Sequence, residues 1–270
     1  MDIEIAPGKR AHQAYSFDDI AIVPSRRTRT PEDVSTAWQI DAYKFDLPLL
    51  AAPMDSVVSP ETAIAIGKLG GLGVLNLEGL WTRYDDPRIP LGEIASMPDK
   101  HATRRMQEIY SAPIRPELIK ERIKTIRDSG VTVAASLSPQ RTAELHKAVI
   151  DAGVDIFVIR GTTVSAEHVG HDDSSLNLKK FIYELDVPVI VGGVATATGA
   201  LHLMRAGAAG VLVGFGGGAA HTTQTVLGIQ VPMATAVADV AAARREYLDE
   251  SGGRYVHVIA DGSIGKSGDI

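Results

Sequence analysis

Short apolar runs alternate with amphipathic stretches along most of the chain, and this alternation predicts its elements. Seven runs read as strands: Pro48–Met54, Leu72–Asn76, Val131–Leu137, Asp155–Ile159, Val187–Val191, Gly210–Val213 and Tyr255–Ala260. Between them, helical periodicity marks Pro60–Leu69, Pro116–Arg127, Arg141–Ala152, Leu176–Leu185, Thr198–Ala206 and Ala234–Leu248. Ser59 followed by Pro60 is a helix start, and Gly153 and Gly207 are natural helix stops. The strands are apolar throughout rather than alternating, which is the mark of a parallel sheet covered by helices. The units Asp151–Gly170, Asp186–Gly207 and Gly210–Arg245 recur at short spacing, so an α/β fold of the (β/α)8 TIM-barrel type fits better than a doubly wound sheet. The pattern predicts a single (β/α)8 barrel domain over residues 1–270, truncated after the seventh strand, with the eighth strand and a C-terminal flap missing. Tyr84–Pro116 is polar and carries Pro87, Pro90, Pro98 and Pro113; it reads as a surface excursion on the second β/α connection, with a short helix near Thr103–Tyr110.

Composition narrows the function classes. The net charge of −6 argues against a general nucleic-acid or anionic-membrane surface. The chain has no cysteine, which removes disulfides, thiolate metal sites and thiol catalysis. No apolar run approaches the ~20 residues of a membrane span. The first residues, MDIEIAPGKRAHQAY, lack the apolar core of a secretory signal, so the expectation is a cytoplasmic protein.

The strongest chemical signal is VLVGFGGGAAHTT, Val211–Thr223. A buried strand opening into Gly214–Gly218 presents bare backbone N–H groups, and glycine lets a ligand come close. Gly214, Gly216 and Ala219 also satisfy G-x-G-x-x-A with Asp239 ~20 residues on, but Pro232 interrupts and Asp239 falls inside a helix, so a dinucleotide fingerprint is rejected. What survives is an anion or nucleotide cradle at the C-terminal face of a barrel. His221 is either a general base or ring-orienting group, or a polar loop residue bonded to backbone. Asp261–Gly262, after the last strand, is either a carboxylate for two ribose hydroxyls or an Asp-Gly turn; beside the glycine loop the first reading is preferred. Met54 and Asp55 end the first strand, where Met is commonly core filler and Asp a loop cap. Glu167, His168, His171, Asp172 and Asp173 in Ala166–Ser174 could bind a metal, but a solvated loop is the preferred reading, because no rigid element fixes a third ligand.

Several segments, in order, resemble the IMP dehydrogenase/GMP reductase family: SFDDIAIVPS (Ser16–Ser25), LPLLAAPMDSV (Leu47–Val57), GGLGVLN (Gly70–Asn76), GGVATATGA (Gly192–Ala200), the glycine loop, and IADGSIGKSGDI (Ile259–Ile270). The absence of a cystathionine-β-synthase-type insertion, with AWQIDAY (Ala37–Tyr43) and PMATAVADVAAARREYLDE (Pro232–Glu250), is similar to the bacterial IMP dehydrogenase-related subgroup. The resemblance implies a purine 5′-mononucleotide ligand, NAD or NADP as cofactor, hydride transfer at purine C2, and a homo-tetramer. It places Met54 under the base, Asp261 on the ribose, and Gly218, Ala219, Gly262 and Ser263 at the phosphate. Arg160, Gly214 and Gly216 fall beside the cofactor, and Thr223 beside the reacting carbon. The carbonyls of Gly216, Gly218 and His221 fall at a monovalent-cation site, such as one for K+. Apolar loop residues Leu77, Leu80 and Trp81 suggest themselves as subunit contacts. Four positions depart from the family: its nucleophilic Cys is His221, a phosphate-binding Ser is Ala219, an Asp ending the fourth strand is Arg160, and an Asn after the fifth is Gly193. Loss of the nucleophile leaves a non-catalytic nucleotide-binding protein as the alternative to an oxidoreductase. Arg160 in place of an acid favours a phosphorylated cofactor and the reductive direction.

Overall fold

The computed structural model describes residues 2–166, 176–218 and 221–270. In chain order the strands are β1 (Asp2–Ala6), β2 (Lys9–His12), β3 (Trp38–Ile40), β4 (Tyr43–Phe45), β5 (Leu50–Ala51), β6 (Leu72–Asn76), β7 (Ala134–Leu137), β8 (Ile156–Arg160), β9 (Val189–Val194), β10 (Gly210–Val213) and β11 (His257–Ala260). The α-helices are α1 (Pro60–Lys68), α2 (Arg88–Ser96), α3 (Asp99–Tyr110), α4 (Pro116–Asp128), α5 (Pro139–Ala152), α6 (Leu178–Tyr183), α7 (Ala197–Arg205), α8 (Thr223–Leu227) and α9 (Met233–Glu250). The seven expected strands form one parallel sheet in the order β11-β10-β9-β8-β7-β6-β5, and the fold class is α/β of the TIM-barrel kind. Two antiparallel hairpins, β1-β2 and β3-β4, add to the expected elements.

The chain divides into two compact units. One holds residues 35–160 and 176–190. Its core is built on β6 and β7, buried almost throughout, and on α4, which packs against α1 and α5. Ile119, Ile123 and Ile126 recur at helical spacing on α4 and are fully buried. Burying each such side chain contributes about 1.5–3 kcal/mol of transfer free energy. The Ser59 hydroxyl accepts the Thr62 N–H, which starts α1 as expected. Gly153 ends α5 with φ of 86°, a conformation that costs glycine little. The hairpin β3-β4 is pinned by Trp38 stacked on Phe45 at 4.6 Å and by the Tyr43 hydroxyl on Asp155 Oδ1 at 3.2 Å.

The other unit holds residues 2–34, 161–166 and 191–270. Helix α9 covers β10 and β11 and packs against α7. Its buried face is Ala236, Val240, Ala243 and Tyr247. The N-terminal segment is tied to the first turn of α9: Tyr15 N–H donates to Thr235 Oγ1 at 2.8 Å, and Thr235 N–H donates to the Tyr15 carbonyl at 3.2 Å.

Three differences from the sequence reading have physical causes. Strand β5 shrinks to Leu50–Ala51, because Pro48 and Pro53 on either side cannot donate to a ladder. The 84–116 segment carries two helices, α2 and α3, rather than one short one. Leu77, Leu80 and Trp81, expected to serve subunit contacts, are buried within this chain, at 0%, 0% and 8% exposure. They are core residues of the loop after β6.

Candidate functional site

The end of β10 and the end of β11 bring two short loops together. β10 and β11 are paired in register from Gly210 with His257 to Val213 with Ala260. One residue further on, Asp261 N–H donates to the Val213 carbonyl at 2.8 Å, so Asp261 lies directly beyond the last strand, as expected. The glycines that follow β10 are packed against this second loop. A Cβ on Gly214 would stand 2.5 Å from the Asp261 carbonyl oxygen. One on Gly217 would stand 2.5 Å from Ser263 Oγ, and that hydroxyl donates to the Gly217 carbonyl at 2.7 Å. One on Gly216 would stand 2.5 Å from Thr223 Oγ1 and 3.2 Å from His221 Cβ. Glycine at these places therefore lets the loop close onto 261–263 and onto 221–223, a nearer reason than ligand approach alone.

The structure thus brings Gly214, Gly216, Gly218, His221, Thr223, Asp261, Gly262 and Ser263 into one cluster. Gly262 and Ser263 both adopt the left-handed conformation, at φ of 93° and 57°. For Ser263 this is costly, because its Cβ crowds the backbone. Among the described residues, no acceptor meets the N–H groups of Gly216, Gly217, Gly218, Gly262 or Ser263. Clustered, uncommitted backbone donors are the chemistry of an anion site. The Gly218 carbonyl accepts the His221 N–H at 3.0 Å, and the His221 side chain is exposed. Ala219 lies outside the described residues, as does the whole acidic and histidine-bearing stretch 167–175. Among the described residues, no group of three or more His, Asp or Glu could hold a metal.

Gly193, where the family has Asn, lies inside β9. Its N–H donates to the Gly161 carbonyl at 3.1 Å, and a Cβ there would stand 2.2 Å from the Gly214 carbonyl oxygen. The departure has a local steric reason. Arg160 is the last residue of β8 and half-buried.

Met54 and Asp55 belong to the other unit and open the turn after β5. The Met54 carbonyl accepts the N–H groups of Val57 and Val58, both at 2.9 Å. Asp55 is far more embedded than a loop cap: its Oδ2 accepts the Leu80 N–H at 2.9 Å and the Tyr110 hydroxyl at 2.6 Å. Burial, then the Asp55 carboxylate, push the Tyr110 phenol well above its ordinary range. Arg83 reaches the carbonyls of Glu78 and Ala112, and its burial, then Arg141, lower its pKa. Sequence spacing could not show the Asp55 partners, which lie 25 and 55 residues away.

A parallel α/β sheet of TIM-barrel type, with a glycine-rich loop after one strand and an Asp-Gly after the next, defines a class of protein that binds small anionic ligands at strand ends. Residues 14–270 match the IMP dehydrogenase / GMP reductase domain, and the chain belongs to that family. It is 53% identical to an uncharacterized oxidoreductase of Mycolicibacterium smegmatis, over 99% of this chain and 73% of that protein. It is 26% identical to the inosine-5′-monophosphate dehydrogenase of Methanocaldococcus jannaschii, over 96% of this chain and 68% of that enzyme. That second alignment runs over 355 residues, so the archaeal enzyme carries extra residues inside the shared span, which fits the absence of an inserted domain here. The crystal structure of an IMP dehydrogenase/GMP reductase-like protein from Corynebacterium glutamicum superposes with a TM-score of 0.94 at 53% identity, covering 100% of this chain and 71% of that one. Among the described residues, no helix is long and apolar enough to cross a membrane.

Proposed function

We propose that this chain binds a purine 5′-mononucleotide on the 214–218 and 261–263 loops and acts as an NAD(P)-linked oxidoreductase at purine C2 of IMP or GMP. The observation that carries this reading is the set of backbone N–H groups beside Asp261 that meet no acceptor among the described residues. A phosphate matches such donors, and a carboxylate matches vicinal ribose hydroxyls. In this reading Gly218, Ala219, Gly262 and Ser263 face the 5′-phosphate, Asp261 holds the ribose, and Met54 underlies the base. Arg160, Gly214 and Gly216 hold NAD or NADP; the always-charged guanidinium suits a phosphorylated cofactor. The bound nicotinamide supplies the acceptor or donor of the hydride. Thr223 and His221 serve the reacting carbon, with the imidazole as the group that takes up or gives a proton there. The carbonyls of Gly216, Gly218 and His221 are the cation ligands, and K+ is the ion they suit. A homo-tetramer in the cytoplasm completes the reading.

One observation favours a second reading, nucleotide binding without catalysis: the 270 residues contain no thiol to add to C2. Absorbance at the nicotinamide band with IMP or GMP separates the two. A hydride signal supports the oxidoreductase; nucleotide binding by calorimetry with no hydride signal selects the binding protein. Intact mass after incubation with 6-chloropurine nucleotide tests the role of His221. No adduct is expected, and a stoichiometric adduct on His221 makes it the nucleophile.

A further inference from the structure

The turn that carries Met54 is fastened in a way that neither the family assignment nor the nucleotide reading explains. Asp55 hangs from two places at once. Leu80 N–H comes from the loop after β6, and the Tyr110 hydroxyl from the last turn of α3. The loop is rigid in its own right: Leu80 is fully buried, and Thr82 Oγ1 donates to the Leu77 carbonyl at 2.8 Å. Arg115 N–H donates to the Thr82 carbonyl at 2.8 Å, and Arg122 Nε to the Trp81 carbonyl at 3.1 Å. At 2.6 Å the Tyr110 contact is a short, charge-assisted bond. The other carboxylate oxygen, Oδ1, is buried without a partner. It fits only because residue 79 is glycine: a Cβ there would stand 1.8 Å from it. A carboxylate placed for stability alone would have both oxygens satisfied, because an orphaned buried acceptor is destabilising. The geometry accepts that cost and gains a fixed position for the residue next to Met54. Adjacent Cα atoms are about 3.8 Å apart across a rigid peptide, so fixing Asp55 fixes the Met54 backbone.

We infer that Asp55 and Tyr110 are positioning residues that hold Met54 as a preset platform for the ligand's base, with the 84–116 segment supplying the hydroxyl. This rests on the nucleotide reading for what Met54 touches, but not for how Met54 is held. The test uses methyl-labelled methionine: with six methionines in the chain, the Met54 ε-methyl resonance can be assigned by substitution. Tyr110→Phe keeps the ring and the Leu80 bond and removes one donor. The expected result is a shifted or broadened Met54 methyl in the free protein, and three- to tenfold weaker binding of IMP or GMP by calorimetry, with urea unfolding near wild type. Tyr84→Phe is the control. It removes the Tyr84 hydroxyl bond to the Ile109 carbonyl (2.8 Å), one residue from Tyr110, and should leave both Met54 and affinity unchanged. Asp55→Asn keeps an acceptor oxygen for both donors and should stay within about threefold of wild type. A Met54 methyl indifferent to Tyr110→Phe, or equally moved by Tyr84→Phe, overturns the positioning role. A wild-type Met54 methyl that ignores IMP, GMP and XMP overturns the nucleotide reading instead, and with it the platform's purpose.

Discussion

The loop after β6 and the loop after β10 are both irregular segments leaving the C-terminal end of a buried strand, yet they use their polar groups in opposite ways. Around Leu77–Arg83 backbone donors and acceptors are taken up by Thr82, Arg83, Arg115, Arg122 and Asp55, although Trp81 Nε1 is buried without a partner among the described residues. Around Gly216–Gly218 the backbone donors are held in place by close glycine packing and, among the described residues, left uncommitted. Rigidity is common to both; availability is not. A loop whose hydrogen bonds close on themselves is structure, and one that is rigid with open donors is prepared for something else.

The contrast is most exposed to failure at Leu80. Leu80→Ala removes a fully buried side chain and should cost about 2–5 kcal/mol in urea unfolding, with a cavity left in the loop that carries Asp55. A loss below about 1 kcal/mol would show that this loop is not core. Next in size, Asp261→Ala should weaken IMP or GMP binding by about 1–3 kcal/mol in calorimetry, because the ribose hydroxyls lose a charged partner. Unchanged affinity would remove Asp261 from the site. Gly217→Ala should follow the same pattern with a smaller loss, since the added methyl meets Ser263 Oγ, the end of a side chain that can rotate away.

The smaller effects concern pH. Tyr110 has a folded pKa above its ordinary 10.0. Its contribution to stability is therefore fully present below pH 10 and is lost as pH rises through the folded value, when the unfolded chain alone can release the proton. Alkaline absorbance titration should show one late tyrosine that Tyr110→Phe removes. At the other extreme, Arg205 and Glu250 pair at 2.6 Å with both side chains nearly half exposed. Glu250 is held below the ordinary carboxylate range by that hydrogen bond, so its contribution is lost as pH falls through the folded value. Exposed pairs contribute little, and Arg205→Ala should leave the Tm within experimental scatter.

What the sequence makes legible follows the physics of burial. β6 and β10 are read to the residue, because strands buried on both faces are uninterrupted apolar runs bounded by polar or glycine positions. The helix start at Ser59–Pro60 is equally plain, whereas the same pair at Ser138–Pro139 opens α5 two residues before the Arg141 start expected from the pattern. The hairpin β1-β2 does carry a signal, the alternation in DIEIA followed by Pro7–Gly8, but period-two alternation over so few residues is faint beside the long apolar runs. The glycine loop and Asp261 are visible as motifs, since their chemistry lies in residue type and order. Asp55 is invisible as more than a cap, because its role depends on a tyrosine on a helix that composition alone renders as a polar excursion.

Gly193 and His221 differ in how freely their positions can accept another side chain. His221 is exposed at the mouth of its loop, so exchange between imidazole and thiol there needs no other change. Position 193 is closed by the Gly214 carbonyl, so a larger residue can return only if the loop after β10 has already moved. Engineering the two positions meets that asymmetry: His221→Cys is a single substitution, whereas Gly193→Asn must be preceded by rebuilding the neighbouring backbone.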